Sequence, residues 1–435
     1  MRKLVMLLVL LPSLAVPLPA AAAPPAPDVD AAGTWSQAAL DAIRTHRASD
    51  SDAARTYAMV GAALYDAVNG IATARGDRAR TPALRDAKGA PPQGDQQAAA
   101  VAAAHAVLVR LYPDAVATLD ARLAADLARL GQGPRVSAGR SWGATVGADV
   151  YTLRQDDGSS PVEAQPAGTG PGVFGQEWPG AQYRHMRPFA DADAARHLGG
   201  GPPALDSLDY AAAFAEVALL GNAAVPDAGK SAVFQFWSLP AGSDQPPGAW
   251  VQIALAAGRT LPLADKARLL ALLGMALADT AVPTTLAKYT YRHWRPQVAI
   301  QQADTDGNPY TTADPAWRAR AGSAGGTPEY ISGHSSFSGA GAAVLAGFFC
   351  SDRVPFTLVT DSAPVDPGTG QPWARSFPGF SAAAADAGRS RVLGGLHFGF
   401  SNLDGLAMGR DVAADILAAK LLPRSGPTHV GACPR

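Results

Sequence analysis

The chain has 435 residues, 48% of them hydrophobic, and its 36 Lys plus Arg are balanced by 37 Asp plus Glu. That length can bury a large core and suggests two to three domain-sized units. The near-zero net charge provides no bulk basic surface for nucleic acid or an anionic membrane, so any anion site has to be a local cluster.

Residues 1–23 open on Arg2 and Lys3, run apolar over 4–11 and end in the alanines 20–23. This is the three-part pattern of a secretory signal peptide, with an apolar run too short for a membrane span. Pro12, Pro17 and Pro19 argue against a retained anchor helix, and no cysteine follows the small residues to carry a lipid. The expectation is an exported chain, periplasmic or secreted, with no membrane span once processed. Residues 24–30 are rich in Pro and Ala and are expected to lack regular structure.

Apolar residues then recur at helical spacing over 53–71 (Tyr57, Val60, Ala63, Leu64, Ala67, Val68), 96–111, 115–130 and 137–153. Residues 155–189 are rich in Gly and Pro and read as a long surface excursion rather than a core element. Helical patterning resumes at 210–220, 231–237, 250–257 and, most strongly, 263–290, and returns at 339–349 and 405–421. No stretch sustains the alternation of a strand, so the class is all-α, two helical bundles, divided as 24–245 and 246–435. Cys350 and Cys433 are the only cysteines. Outside the cytoplasm they either pair, tying the C-terminal tail to the core, or stand as two free thiols.

Three segments of the second half each place a cation or an imidazole beside residues that break helices. In the first, Lys288 and Arg295 lie seven apart, two turns of one helix, and Pro296 ends that helix at Arg295. Two cations would then converge at a helix C-terminus; a solvated basic face is the bland alternative. In the second, Ser332, Gly333 and His334 precede a run of small residues. A helix starting near Ser335 would aim free N–H groups at an anion, with His334 at its mouth. The bland reading is a Ser332 N-cap and an exposed histidine. In the third, Gly394 and Gly395 separate Arg391 from His397, letting a planar five-donor fork approach an imidazole. Taken together, two arginines, a lysine, a helix N-terminus and two histidines are the parts that hold a tetrahedral oxyanion and attack its centre.

In this order and spacing, Lys288 with Arg295 and Pro296, then Ser332, Gly333 and His334, then Ser390 and Arg391 with His397, the chain resembles the vanadium haloperoxidase and type 2 phosphatidic acid phosphatase (PAP2) superfamily. The run from Ala303 to Asn308, the trio Pro328, Glu329, Tyr330 and the stretch Gly394 to Phe398 are similar to bacterial vanadium-dependent haloperoxidases. The resemblance implies that the second bundle is of the haloperoxidase and PAP2 type and that Lys288, Arg295, Ser332, Gly333 and Arg391 bind the equatorial oxygens of vanadate. It makes His397 the apical ligand and His334 the acid and base. The implied cofactor is vanadate and the implied small-molecule partners are hydrogen peroxide, halide and an organic acceptor. On a phosphate ester the same residues imply an acid phosphatase, His397 forming a phosphohistidine, and a catalytically silent oxyanion-binding protein is a third class.

The chain departs from the pattern at four places: Ile331 replaces the proline before the Ser-Gly-His run, Ser401 stands where an acidic residue usually follows the ligating histidine, and Thr285 and Thr327 replace aromatic or histidine positions. Asp404 is the nearest substitute for the acid missing at Ser401. Asp304, Asp306 and Asn308 resemble the start of a calcium loop but lack the closing glutamate, which favours a polar turn. His293 either lines the pocket or packs. His46, His105, His185, His197 and His429 have no supporting neighbours.

Overall fold

The computed structural model describes residues 29–77, 80–190, 193–363, 365, 366 and 368–422. The expected signal segment, His429 and Cys433, and with it the expected Cys350–Cys433 bridge, lie outside them. Among the described residues the chain forms thirteen α-helices: Ala31–His46 (α1), Asp50–Arg75 (α2), Gln96–Leu111 (α3), Val116–Leu130 (α4), Pro134–Arg154 (α5), Leu208–Leu220 (α6), Ala228–Phe236 (α7), Gln245–Ala257 (α8), Leu263–Tyr291 (α9), Pro296–Gln301 (α10), Gly333–Phe349 (α11), Phe380–Leu393 (α12) and Gly399–Ala419 (α13). Two short antiparallel ribbons, Ala164–Gln165 with Trp178–Pro179 and Phe356–Val359 with Ala374–Phe377, are the only strand pairs among them. The all-α class holds.

Helix α1 is absent from the sequence reading. Asp30, placed there in an unstructured exit, caps it by accepting a hydrogen bond from the Gly33 N–H, and Trp35 and Leu40 are fully buried. The next two helices are also capped: Ser49 caps α2, Asp95 caps α3, and Gly76 in the left-handed region closes α2. Helix α9 is long and apolar enough to cross a membrane by length and composition, and most of it is buried against other helices of the chain. One apolar core runs from Trp35 through α2, α3 and α9 to Val412 and Ile416 of α13. A smaller one, holding Tyr210, Phe214, Trp294, Trp317 and Phe398, lies under the loops that carry the chemistry.

Residues 155–189 are not simply a surface excursion. Phe174, Trp178, Tyr183, Met186 and Phe189 within them are buried, and Asp279 of α9 accepts from the N–H groups of Phe189 and Ala190. Gly and Pro set the irregular path, while these buried side chains pin it to the core.

Small residues set how closely the helices pack. On α13 a methyl group added at Gly409 would overlap the Ser336 carbonyl of α11, and one added at Gly405 would stand 2.9 Å from the Ser332 carbonyl. The backbone of α13 therefore rests directly on the first turn of α11. Gly409→Ala must push the two apart, and overpacking of this kind costs about 1–3 kcal/mol. Denaturant unfolding of the variant is expected to show that loss; unchanged stability would mean that the contact gives way without strain.

Candidate active site

The site is built at three helix ends. Lys288 occupies the last turn of α9, buried, with Nζ donating to the Pro328 carbonyl at 2.6 Å. Burial, reinforced by the charges of Arg295 and Arg391, lowers its pKa from 10.5 to about 7, against the pull of Glu329 and Asp50. The helix does not continue to Arg295. Arg292 takes the left-handed conformation and closes α9, and Arg295 is extended, leading into α10, with Pro296 as that helix's first residue rather than the end of the previous one. The two cations meet across a turn, not along one helical face.

Arg295 is held on all sides. Its Nε donates to the Thr327 carbonyl at 2.7 Å and its Nη2 to Thr327 Oγ1 at 3.1 Å, while Nη1 donates to the Leu396 carbonyl at 2.8 Å and approaches His397 Nε2 at 3.0 Å. Thr327, a departure from the family pattern in sequence, thus aims the guanidinium. Burial lowers the Arg295 pKa to about 10.

Ser332 caps α11, its Oγ accepting from the Ser335 N–H at 3.4 Å, so the helix begins at Gly333. His334 is half-buried, with Nε2 donating to the Ser238 carbonyl at 3.2 Å in the tautomer that bond requires. Burial first, then the charges of Arg391 and His397, hold its pKa well below the usual imidazole range, so it is neutral at physiological pH. Asp50, the first residue of α2, reaches the same spot from the N-terminal half: its Oδ2 lies 3.5 Å from where a Cβ on Gly333 would stand. Burial raises its pKa and Lys288 is the main charge opposing that rise.

Arg391 comes from the last turn of α12, and the Gly394 and Gly395 turn leads from it to His397. Burial, then Arg295, lowers the Arg391 pKa to about 9. Its Nη1 donates a long hydrogen bond to the Trp237 carbonyl at 3.5 Å, and its buried Nε has no partner among the described residues. A buried guanidinium with unspent donors is an arrangement that an anion completes.

His397 is oriented by a carboxylate that the sequence reading missed. Glu329, with no exposure at all, accepts from His397 Nδ1 at 2.9 Å and from the Phe398 N–H at 3.0 Å through Oε1, and from His293 Nδ1 at 3.3 Å through Oε2. Burial acts to raise its pKa, but the two imidazole hydrogen bonds overcome that and hold the carboxyl well below its usual range. Burial, with Arg295 close by, pushes His397 down to about 3 in spite of Glu329. At neutral pH its proton therefore sits on Nδ1 and the Nε2 lone pair faces the cations. Ser401 Oγ stands 3.5 Å from the same Nδ1 without displacing Glu329, and Asp404 accepts from the Tyr330 hydroxyl instead of reaching the imidazole. The only sequence signal for Glu329 was its place between Pro328 and Tyr330.

His293 both packs and participates, sitting edge-on to Tyr210, Phe398 and Phe400 while bonding Glu329. Thr285 is buried within α9. His46, His105, His185 and His197 lie beside Asp114, Asp120, Glu163 and Asp415, away from this cluster. The segment around Asp306 is a polar turn, its carboxylate accepting from Asn308 N and Thr311 Oγ1, and no cluster of metal-ligating residues occurs among the described residues.

Residues 268–422 match the family model for the VCPO second helical-bundle domain. No curated protein matches the sequence. Among solved structures, the first bacterial vanadium-dependent iodoperoxidase superposes with a TM-score of 0.71 at 22% identity, covering 91% of this chain and 98% of its own. The holo-type bacterial vanadium-dependent chloroperoxidase superposes with 0.64 at 17%, covering 85% and 92%.

Replacing Glu329 by Gln removes the charge that fixes the His397 tautomer while keeping the shape. Loss of such an orienting partner costs roughly 10–100-fold in affinity at a ligating histidine. Titration of the purified protein with vanadate is expected to show a loss in this range, and an unchanged affinity would mean that Ser401 suffices.

Proposed function

Because the fold is that of the vanadium haloperoxidase and PAP2-like superfamily, we propose that this chain is a vanadium-dependent haloperoxidase-like enzyme, oxidising halide with hydrogen peroxide. The observation that carries the reading is the charge pattern: Lys288, Arg295 and Arg391 are all buried and act on one another's charge, Arg295 Nη1 donates to His397 Nε2 at 3.0 Å, and the buried Arg391 Nε is unsatisfied among the described residues. Those residues fit an oxyanion. Lys288, Arg295, Arg391, Ser332 and the Gly333 N–H would hold the oxygens of vanadate, and His397 Nε2 would coordinate it. Bound vanadate supplies a Lewis acid that activates peroxide towards halide without changing the metal's oxidation state.

The protein supplies the rest. Glu329 holds the proton of His397 on Nδ1, and burial with Arg295 keeps the ring neutral, so the imidazole would serve as a ligand and not a cation. His334, neutral and at the mouth of α11, would serve as the acid and base beside the anion. Lys288 would polarise the oxygens held there, and its lowered pKa marks the desolvation that strengthens that field. The segment 1–23 supports export, to the periplasm or the medium.

Two assays test the reading. After vanadate loading, bromide and peroxide should halogenate an organic acceptor, and His397→Ala should abolish this. Hydrolysis of a chromogenic phosphate ester by vanadate-free protein, without halogenation, would replace the reading with a PAP2-type acid phosphatase. Vanadate binding with neither activity would leave a silent oxyanion-binding protein.

The site also has a predictable pH response. In the anion-free protein Lys288 is charged below about 7 and neutral above it, so affinity for an anion falls as pH rises through that value. Tungstate, whose charge is constant from pH 7 to 8, should bind progressively more weakly across that range. Lys288→Met should bind weakly throughout, with the slope gone, and a wild-type affinity independent of pH would refute the assignment.

A further inference from the structure

The Gly- and Pro-rich stretch after α5 forms a strap over the segment that carries Arg295. The Phe174 N–H donates to the Arg292 carbonyl at 2.6 Å, the Trp294 N–H to the Gly172 carbonyl at 2.9 Å, and Gln165 Nε2 to the Tyr289 carbonyl at 3.0 Å. Between this strap, α10 and the turn at Gly325 lies a cavity of about 280 Å³. Val173, Phe174, Trp294 and Val298 line it together with Arg295, and the exposed amides of Gln176 and Gln302 stand at its edge.

We propose that this cavity is the subsite for the organic acceptor, taking a small phenol. This rests on the haloperoxidase reading. The lining combines apolar side chains with a planar guanidinium and two carboxamides, which suits a flat aromatic ring bearing a hydroxyl. The volume admits a one-ring compound with a substituent and excludes larger polycyclic ones. The position is what gives the cavity its use, because Arg295 belongs both to it and to the centre, its Nη1 lying 3.0 Å from His397 Nε2. Hypohalous acid, made from halide, peroxide and a proton, would have one side chain to pass. At the ring a carbon–halogen bond forms and a C–H bond breaks, the halogen–oxygen bond breaks, and the released proton joins the hydroxide as water. A ring held in this cavity presents some of its carbons and hides others, so halogenation is guided by the protein rather than left to the diffusing acid.

The test uses phenol as the probe. Its binding to the whole protein, followed by ligand-observed NMR without vanadate, halide or peroxide, should be saturable. Gly175→Phe should weaken it at least tenfold. The backbone at Gly175 needs no positive φ and an added Cβ meets only the Gly168 carbonyl, at 3.9 Å, so the new ring has room to enter the cavity without disturbing the fold. Val162→Ala, on the same strap but 73% exposed and outside the cavity lining, should bind phenol as wild type does. In turnover with bromide, the wild type should give an ortho-to-para ratio different from that of reagent hypobromous acid, and Gly175→Phe should give the reagent's ratio. Absence of saturable binding, unchanged binding in Gly175→Phe, or a wild-type ratio equal to the reagent's would each overturn the subsite. Phenol binding lost in Gly175→Phe while the wild type halogenates nothing would keep the binding site and sink the haloperoxidase reading.

Discussion

The arrangement turns on one buried carboxylate. Glu329 has no exposure, and a lone charge in such a place is too costly to persist. It persists because His293, His397 and the Phe398 N–H all donate to it. Those same bonds fix the backbone on either side: the Glu329 N–H donates to the His293 carbonyl, so the stretch after α9, the loop before α11 and the turn before α13 are tied at a single residue. Beyond His397 stands Arg295, whose positive charge disfavours protonation of the imidazole. In the order cation, imidazole, carboxylate, imidazole, the His397 Nε2 lone pair is turned to Arg295.

That chain of bonds needs rigid mounts, which the helix packing provides. Residues that must hold a ligand within a fraction of an ångström are best carried on elements whose own positions are locked. Lys288 is in a helix buried along most of its length, and Ser332 and Gly333 open a helix on which α13 rests backbone to backbone at Gly405 and Gly409. Arg295 and His397 are on short irregular segments and are fixed instead by hydrogen bonds, to Thr327, Leu396 and Glu329. The two modes of support explain why the loops here contain buried polar side chains rather than the exposed ones usual in connections.

What could be read from sequence followed the range of the interactions involved. The helices with strong apolar period were legible, and so were the residue types at Lys288, Arg295, Ser332, Gly333, His334, Arg391 and His397, because each sits in a short segment whose spacing carries the signal. The structure brings these seven together. The helical face drawn through Lys288 and Arg295 was wrong, since Arg292 leaves the helix before Arg295 is reached, and a period alone cannot announce a left-handed residue. Glu329 was missed for a different reason. Looking four residues after His397 assumes that its carboxylate partner is local, whereas the actual one lies 68 positions away and is brought in by tertiary folding. The buried aromatics of 155–189 were hidden because the Gly and Pro around them mark a loop, and what the loop packs against is decided by tertiary folding.

The N-terminal half is more than a scaffold for the second bundle. It contributes the strap over Arg292 and Trp294, and it contributes Asp50 beside Gly333. An acidic group in a pocket built for an anion is electrostatically costly when both are charged. Burial already raises Asp50 and lowers Lys288, so both have moved towards neutrality, and each opposes the other's shift. Glu329 and the two arginines hold fixed charges at neutral pH by contrast, Arg391 and Arg295 remaining cationic at about 9 and 10. The pocket therefore has a rigid charge set on one side and an adjustable pair on the other. An incoming oxyanion would favour the protonated forms of Lys288 and Asp50 by the same field. Because one of the pair belongs to α2 and the other to α9, that response exists only when both halves of the chain are packed together.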